Sequence, residues 1–183
     1  MRKLTRDDWI EAGLKTLDLE GHTGVSGERV ARRLNVTRGS FYHHFRGRED
    51  FVRALLSSWE QDYTDRMLEY AAQGAGPVEV LKRYMHIAAD KQPDRELAIR
   101  AWALHDPVVA EYQARVDARR LAFAIKTSKS AFLLPRHSEI VGEVVHLCFI
   151  GGQQSGVRHN PSRFGSLLGG ALDLFRQRSR RVF

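Results

Sequence analysis

A single cysteine, Cys148, stands in the 183-residue chain, so no internal disulfide can form. That fits a reducing, cytoplasmic location. Cys148 sits in an apolar run without cysteine or histidine partners at zinc spacing, so it reads as a plain thiol and not as a metal ligand. No run approaches the ~18 apolar residues of a membrane span. The N-terminal stretch MRKLTRDDW is basic but has no apolar segment behind it, so neither a secretory signal nor a membrane partner is expected. Alternating strand patterns, internal repeats and low-complexity tracts are all missing. Histidines at the three- or four-residue spacing of a helical metal pair are missing too; His43 and His44 are neighbours and point roughly 100° apart on a helix. The segment GGQQSGVR from Gly151 comes near a phosphate loop, but Val157 and Arg158 stand where lysine and a hydroxyl are needed, and no strand precedes it. These absences leave little ground for an enzyme, a metal site or a bound cofactor.

What is present is charge and helical periodicity. The formal net charge is +7 and 43% of residues are hydrophobic, which supplies a core and favours a polyanionic partner. Between His22 and Arg48 six arginines (29, 32, 33, 38, 46 and 48) face one acid, Glu28. The chain reads as all-α, with three short helices opening it. Each starts with a hydroxyl cap between apolar residues: Thr5 between Leu4 and Trp9, Ser26 between Val25 and Val30, Thr37 between Val36 and Phe41. Asp8 stands three residues after Thr5, and Gly21 and Gly24 make the first turn. The second turn is only Leu34-Asn35-Val36, and asparagine is the best non-glycine choice for a left-handed residue. Two short helices, that turn and the small Ala31 at the crossing make a helix-turn-helix, with residues 37 to 44 as its recognition helix.

A long fourth helix then starts at Arg48 with Glu49 and Asp50 in its first turn, and ends near Gln73 before Gly74-Ala75-Gly76-Pro77. Further helices are expected from Pro77, from Asp94 to about His105, and from Pro107 to about Lys126. Residues 127 to 137 are expected to be a loop, because Pro135 interrupts a continuous helix. Two regular helices close the chain. One carries Val141, Val144, Cys148, Gly151, Gly152 and Ser155 at helical spacing; the other carries Phe164, Leu167, Leu168, Ala171, Leu172 and Phe175. Two such helices from each of two chains would form a four-helix homodimer interface; packing within one chain would give the same stripes.

The first 55 residues or so resemble the DNA-binding head of the tetracycline-repressor (TetR) family of bacterial transcription regulators. The resemblance rests on WIEAGLKTLDLEG, on VSGERVARRLNVTRGSFYHHFRGREDF and above all on its Tyr-x-His-Phe. RAWALHDPVV followed by DARR is similar to the body of many members. Gly13 departs from the usual alanine, at an expected cost of about 0.5–1 kcal/mol of helix stability; Gly27 softens the second helix, and Arg48 replaces a lysine. The resemblance implies a head, residues 1–47, joined by helix four to a helical dimerisation and effector domain, residues 48–183, with about five further helices. It implies a repressor that binds a palindromic operator in double-stranded DNA as a homodimer and is released by a small-molecule inducer. The alternative, which nothing in the sequence excludes, is a regulator of the same fold with no small-molecule effector, controlled by a protein partner or acting constitutively.

Within that frame Ser26, Thr37 and Ser40 are expected to give hydroxyls to phosphate, and Gly39 to let the backbone approach the duplex. Arg38, Ser40 and His43 are expected at base edges, arginine being able to bond guanine O6 and N7 together. By the resemblance Tyr42 and His44 bond phosphate, and Arg48 adds a further phosphate contact, whereas Phe41 and Phe45 face the head's core. Half-sites one helical turn apart would lie about 34–36 Å from centre to centre. Trp59, Tyr63, Met67, Tyr84, Trp102, His105, Tyr112 and Phe123 could line a pocket for a small apolar or aromatic effector, or could simply be core.

Overall fold

A computed structural model describes the backbone of residues 4–91, 93–131 and 135–180, and every described element is helical. In chain order these are α1 (Arg6–Glu20), α2 (Gly27–Arg33), α3 (Arg38–Phe41), α4 (Arg48–Glu60), α5 (Arg66–Ala72), α6 (Pro77–Asp90), α7 (Pro93–Ala103), α8 (Pro107–Ala131), α9 (Pro135–Gln154) and α10 (Pro161–Arg180). A π-helical turn, Gln61–Asp65, joins α4 to α5 where one long helix was expected. The chain divides into two compact bodies: residues up to Gln61 together with Asp94–Ala114, and Asp62–Pro93 together with the chain from Arg115 onward.

The first body is built on local signals. Thr5 accepts from the N–H of Asp8 while the Asp8 carboxylate accepts from the N–H of Thr5, a complete capping box. Ser26 caps α2 by accepting from the N–H of Arg29 at 3.2 Å. At the end of α2, Val36 N–H reaches the Ala31 carbonyl and Asn35 N–H reaches that of Arg32, a Schellman closure with Asn35 left-handed at φ 55°. The core is aromatic: Trp9, Phe41, Phe45 and Phe51 are buried, with Phe45 and Phe51 edge to face at 4.8 Å and Trp9 and Phe41 at 5.7 Å. Gly13 and Gly27 fill close approaches. A Cβ on Gly13 would stand 2.6 Å from the Phe51 ring and 2.7 Å from Leu55, and one on Gly27 would stand 2.9 Å from the Phe41 ring. Segment 94–114 joins this body through polar bonds, one buried and the others partly so. Trp59 Nε1 donates to Glu96 at 2.9 Å, Ser57 and Tyr112 share a hydroxyl bond at 3.0 Å, and Arg95 grips Asp18 with two nitrogens.

The second body packs Met67, Leu81, Tyr84, Val141, Val145, Phe149 and Phe164 into one apolar core. α8 and α9 cross so closely at Gly142 that a Cβ there would lie 2.5 Å from the Ile125 Cα. The expected loop at 127 to 137 is corrected at both ends, while residues 132 to 134 lie outside the described residues. α8 continues to Ala131 and α9 begins at Pro135, where proline suits a first helical position. Thr127, Ser128 and Ser130 are only mildly unfavourable in a helix and do not stop α8.

Candidate nucleic-acid interface

The recognition segment is shorter and tighter than the sequence implied. α3 has one α-helical turn, Arg38–Phe41, and residues 42 to 44 continue it as turns. The N–H groups of Ser40, Tyr42, His43 and His44 all bond the carbonyl three residues back. Because Ser40 N–H is used by the Thr37 carbonyl, the Thr37 hydroxyl makes no cap bond, against expectation. That hydroxyl stays available on an exposed residue. Ser26 accepts in its cap and so keeps its own O–H to donate.

The faces separate as the sequence proposed. Phe41 and Phe45 are buried, whereas Thr37, Arg38, Gly39, Tyr42 and His43 are exposed and Ser40 is half-buried. Tyr42 is 57% exposed, an unusual position for a tyrosine that only stabilised a core. Its hydroxyl lies 3.5 Å from Arg38 Nη2, so the two polar tips stand side by side on one outer face. His44 is half-buried with its ring 6.0 Å from Trp9.

Arg6 ties this face to its support, and sequence reasoning missed it. Its Nη1 donates to the His44 carbonyl at 2.7 Å, its Nη2 to Asp50 Oδ1 at 2.9 Å, and its guanidinium lies 4.5 Å from the Phe45 ring centre. Asp50 also accepts the Arg46 N–H at 3.0 Å. That backbone bond, and then Arg6, hold the Asp50 carboxyl below its usual range. The sequence signal was Asp50 in the first turn of α4, read only as a dipole partner. Glu20 has a similar role at the other end of α1. It accepts from Arg29 at 2.8 Å and from Arg33 at 2.9 Å, and these guanidiniums hold its carboxyl low. Arg32 pairs with Glu28. Arg33 is therefore half of a fork on Glu20 and not a simple solvated cation.

Arg48, expected at phosphate, is an exposed residue with a neighbour in its own chain. Its guanidinium lies 3.4 Å from Asp106 and 5.9 Å from the Trp102 ring centre, pointing it at the start of α8 rather than leaving it as an unattached phosphate ligand. Asp106 in turn accepts the Val108 N–H. Nearby, His22 stacks on Trp102 at 6.1 Å and on His105 at 5.9 Å.

The eight pocket residues divide between the bodies. Trp59, Trp102, His105 and Tyr112 lie in the first; Tyr63, Met67, Tyr84 and Phe123 lie in the second. Six are buried, His105 is exposed and Phe123 half-buried. Their contacts are those of packing: Tyr84 stacks on Phe149 at 5.0 Å, and Trp59 and Tyr112 spend their polar atoms inside the first body.

Of the proposed dimer residues, Val141, Gly152 and Phe164 are buried in their own chain. Gly152 exists to admit the Phe164 ring, which a Cβ would overlap at 1.8 Å. Cys148, Val144 and Ala171 are half-buried, and burial pushes the Cys148 thiol up. Gly151, Ser155 and Leu167 are exposed, and the side chains of Leu168, Leu172 and Phe175 lie outside the described residues. Of the exposed large apolar residues, Ile140 and Leu147 lie on α9 and Leu167 and Leu174 on α10, exposed by 47 to 67%; Leu19 and Leu104 are exposed in the first body.

Comparison with known proteins converges on the same segment. Residues 10–55 match the family described as bacterial regulatory proteins, tetR family. The transcriptional regulator AcuR of Cereibacter sphaeroides is 35% identical over 68 residues, 37% of this chain and 31% of that protein. The transcriptional repressor NemR of Escherichia coli K12 is 32% identical over 72 residues, 39% and 36% respectively. The match thus spans about a third of these relatives' length. Over nearly the whole chain the fold resembles the structure of reduced E. coli NemR, with a TM-score of 0.78 at 15% identity covering 93% of this chain and 96% of that one. A transcriptional regulator from Rhodococcus gives 0.77 at 17% identity, covering 95% and 97%.

Proposed function

We infer that this chain, which belongs through its head to the tetR family of bacterial regulatory proteins, is a sequence-specific DNA-binding transcriptional regulator acting as a homodimer. The observation that carries the reading is the outer face of the recognition segment. Arg38, Tyr42 and His43 stand exposed on a backbone held by a Schellman turn on one side and the Arg6 clamp on the other. Rigid presentation matters because base-edge contacts discriminate only when phosphate contacts hold the register. Ser26, Thr37 and Tyr42 supply hydroxyls for phosphate; Arg38, Ser40 and His43 read bases; Gly39 admits the backbone. Arg48 sets the start of α4 against Asp106 and contributes to phosphate only through its remaining exposure.

Dimerisation through α9 and α10 is part of the proposal. Its face is Ile140, Leu147, Leu167 and Leu174 with half-buried Val144 and exposed Gly151, since four large apolar side chains on two adjacent helices favour a covered surface. Repression, and release by a small molecule, are further parts of the proposal; a relative named a repressor supports the first. Footprinting of the purified protein on its own upstream DNA tests the reading, with a protected palindrome as the expected result. Absence of any protected palindrome there or elsewhere in the genome overturns it. Sedimentation checks the dimer: Leu147→Glu with Leu167→Glu is expected to give folded monomers.

A further inference from the structure

The second body holds a hollow of about 460 Å³ between α5, α6 and α10, lined by Tyr70, Glu79, Lys82, Arg83, Met85, His86, Gly165 and Gly169. All its lining residues belong to the second body, and one of them, Met85, is part of that body's apolar core. One wall is a single stripe of α6, since positions 79, 82, 83 and 86 fall on one helix face. The other wall is α10, where two glycines one turn apart leave the space open. Gly165 is closely approached: a Cβ there would come 3.1 Å from the exposed His86 ring, which would have to give slightly. Gly169 is not, because a Cβ there meets nothing within 4 Å. Glycine is the poorest helix former after proline, so a helical glycine that packing does not require calls for another reason.

The lining chemistry supplies one. Arg83 is fixed in place, its guanidinium 5.4 Å from the Tyr70 ring centre and its Nε 3.5 Å from Glu79. Glu79 offsets that charge. Lys82 and His86 have no hydrogen-bond or ion-pair partner among the described residues, and both are exposed. The hollow therefore presents one uncompensated ammonium and an imidazole beside an oriented guanidinium. Its apolar surfaces are buried Met85 and the Tyr70 ring, and its volume suits a small molecule.

We propose that this hollow binds a small organic oxyanion, a carboxylate or phosphate monoester carried on a flat apolar group. The oxyanion sits at Lys82 and His86, and the flat group covers Met85 beside Tyr70 in the space left by Gly169. Titration of the full chain with phenyl phosphate, benzoate and benzylamine, without DNA, tests this independently of the regulator reading. Binding is read by calorimetry and by the His86 ring carbon signal in NMR. One or both anions are expected to bind and shift His86, and benzylamine to do neither. Tighter binding of phenyl phosphate assigns phosphate esters, and tighter binding of benzoate assigns carboxylates. Lys82→Ala and Gly169→Leu should each weaken the better probe at least about tenfold, the loss of one good charged contact. Gly169→Ala should retain binding and melt no lower than wild type, which separates loss of space from loss of folding. The proposal is overturned if neither anion moves the His86 signal, or if Lys82→Ala and Gly169→Leu bind both anions as wild type does. It is also overturned if that signal responds only to protein concentration, which would assign the groove to a second copy of the chain.

Discussion

Replacing Gly13 by alanine is expected to destabilise the protein, although helix propensity alone says the reverse. Alanine in a helix interior is favoured over glycine by about 0.8–1 kcal/mol. In this fold the new methyl would lie 2.6 Å from the Phe51 Cζ and 2.7 Å from the Leu55 Cδ2, distances at which something must move. Neither neighbour has room, since both are 1% exposed and Phe51 is wedged against Phe41 at 5.4 Å and Phe45 at 4.8 Å. Overpacking of such a site costs about 1–3 kcal/mol. With contacts of 2.6 and 2.7 Å against side chains that have no room, the cost falls in the upper part of that range, about 2–3 kcal/mol, so the clash outweighs the propensity gain for a net loss of roughly 1–2 kcal/mol. At about 2–4 °C per kcal/mol for a chain of this size, the melting temperature falls by about 2–8 °C. Calorimetry of the single variant measures this. A double-mutant cycle with Leu55→Ala isolates the cause, because removing the Leu55 methyls should make the added alanine cheaper by at least about 0.5 kcal/mol. A variant as stable as wild type or more so, or a cycle with no coupling, would refute the close-approach argument.

Three further outcomes are expected. Tyr42→Phe should weaken binding to operator and unrelated duplex by the same factor, whereas Arg38→Ala should also flatten the preference among operator variants; equal loss on every sequence for both, measured by competition binding, would reduce Arg38 to a phosphate contact. Asp50→Asn should lower the melting temperature at pH 7, because a carboxylate held low by the Arg46 N–H and Arg6 contributes stability above about pH 4 and loses it as pH falls through the folded value. The gap to wild type should therefore close below about pH 4, and a gap of constant size from pH 7 to pH 3 would count against the clamp. Glu20→Gln frees Arg29 and Arg33 from their shared carboxylate; non-specific DNA affinity should rise and its salt dependence steepen by about one to two charges, and an unchanged salt slope would show that the two arginines never reach the duplex.

Much of the head was legible because its signals are local. Thr5 with Asp8, Ser26 before α2 and Asn35 after it each act over a few residues, through backbone hydrogen bonds and steric limits that hold in any context. The spacing of Phe41 and Phe45 likewise settled which side of the recognition segment is buried. Thr37 marks the edge of that legibility. Its position as cap was readable, but the tightening that gave its work to a backbone carbonyl depends on how Phe41 and Phe45 are seated among Trp9 and Phe51.

By itself the sequence determined an all-helical chain, a helix-turn-helix with its turn and polar face, and a basic surface suited to DNA. Tertiary structure alone decided that residues 94–114 pack with the head, that Arg6 clamps the recognition segment, and that Arg48 turns toward Asp106. It also decided which of two apolar stripes on α9 faces inward. Val141, Val145, Phe149 and Gly152 do, and Ile140, Leu147 and Gly151 remain outside. The physical reason is one of range. Caps and turns are written in neighbouring residues, but a helix with two apolar faces, or an ion pair between residues 58 apart, is resolved only when distant segments compete for the same space and charge.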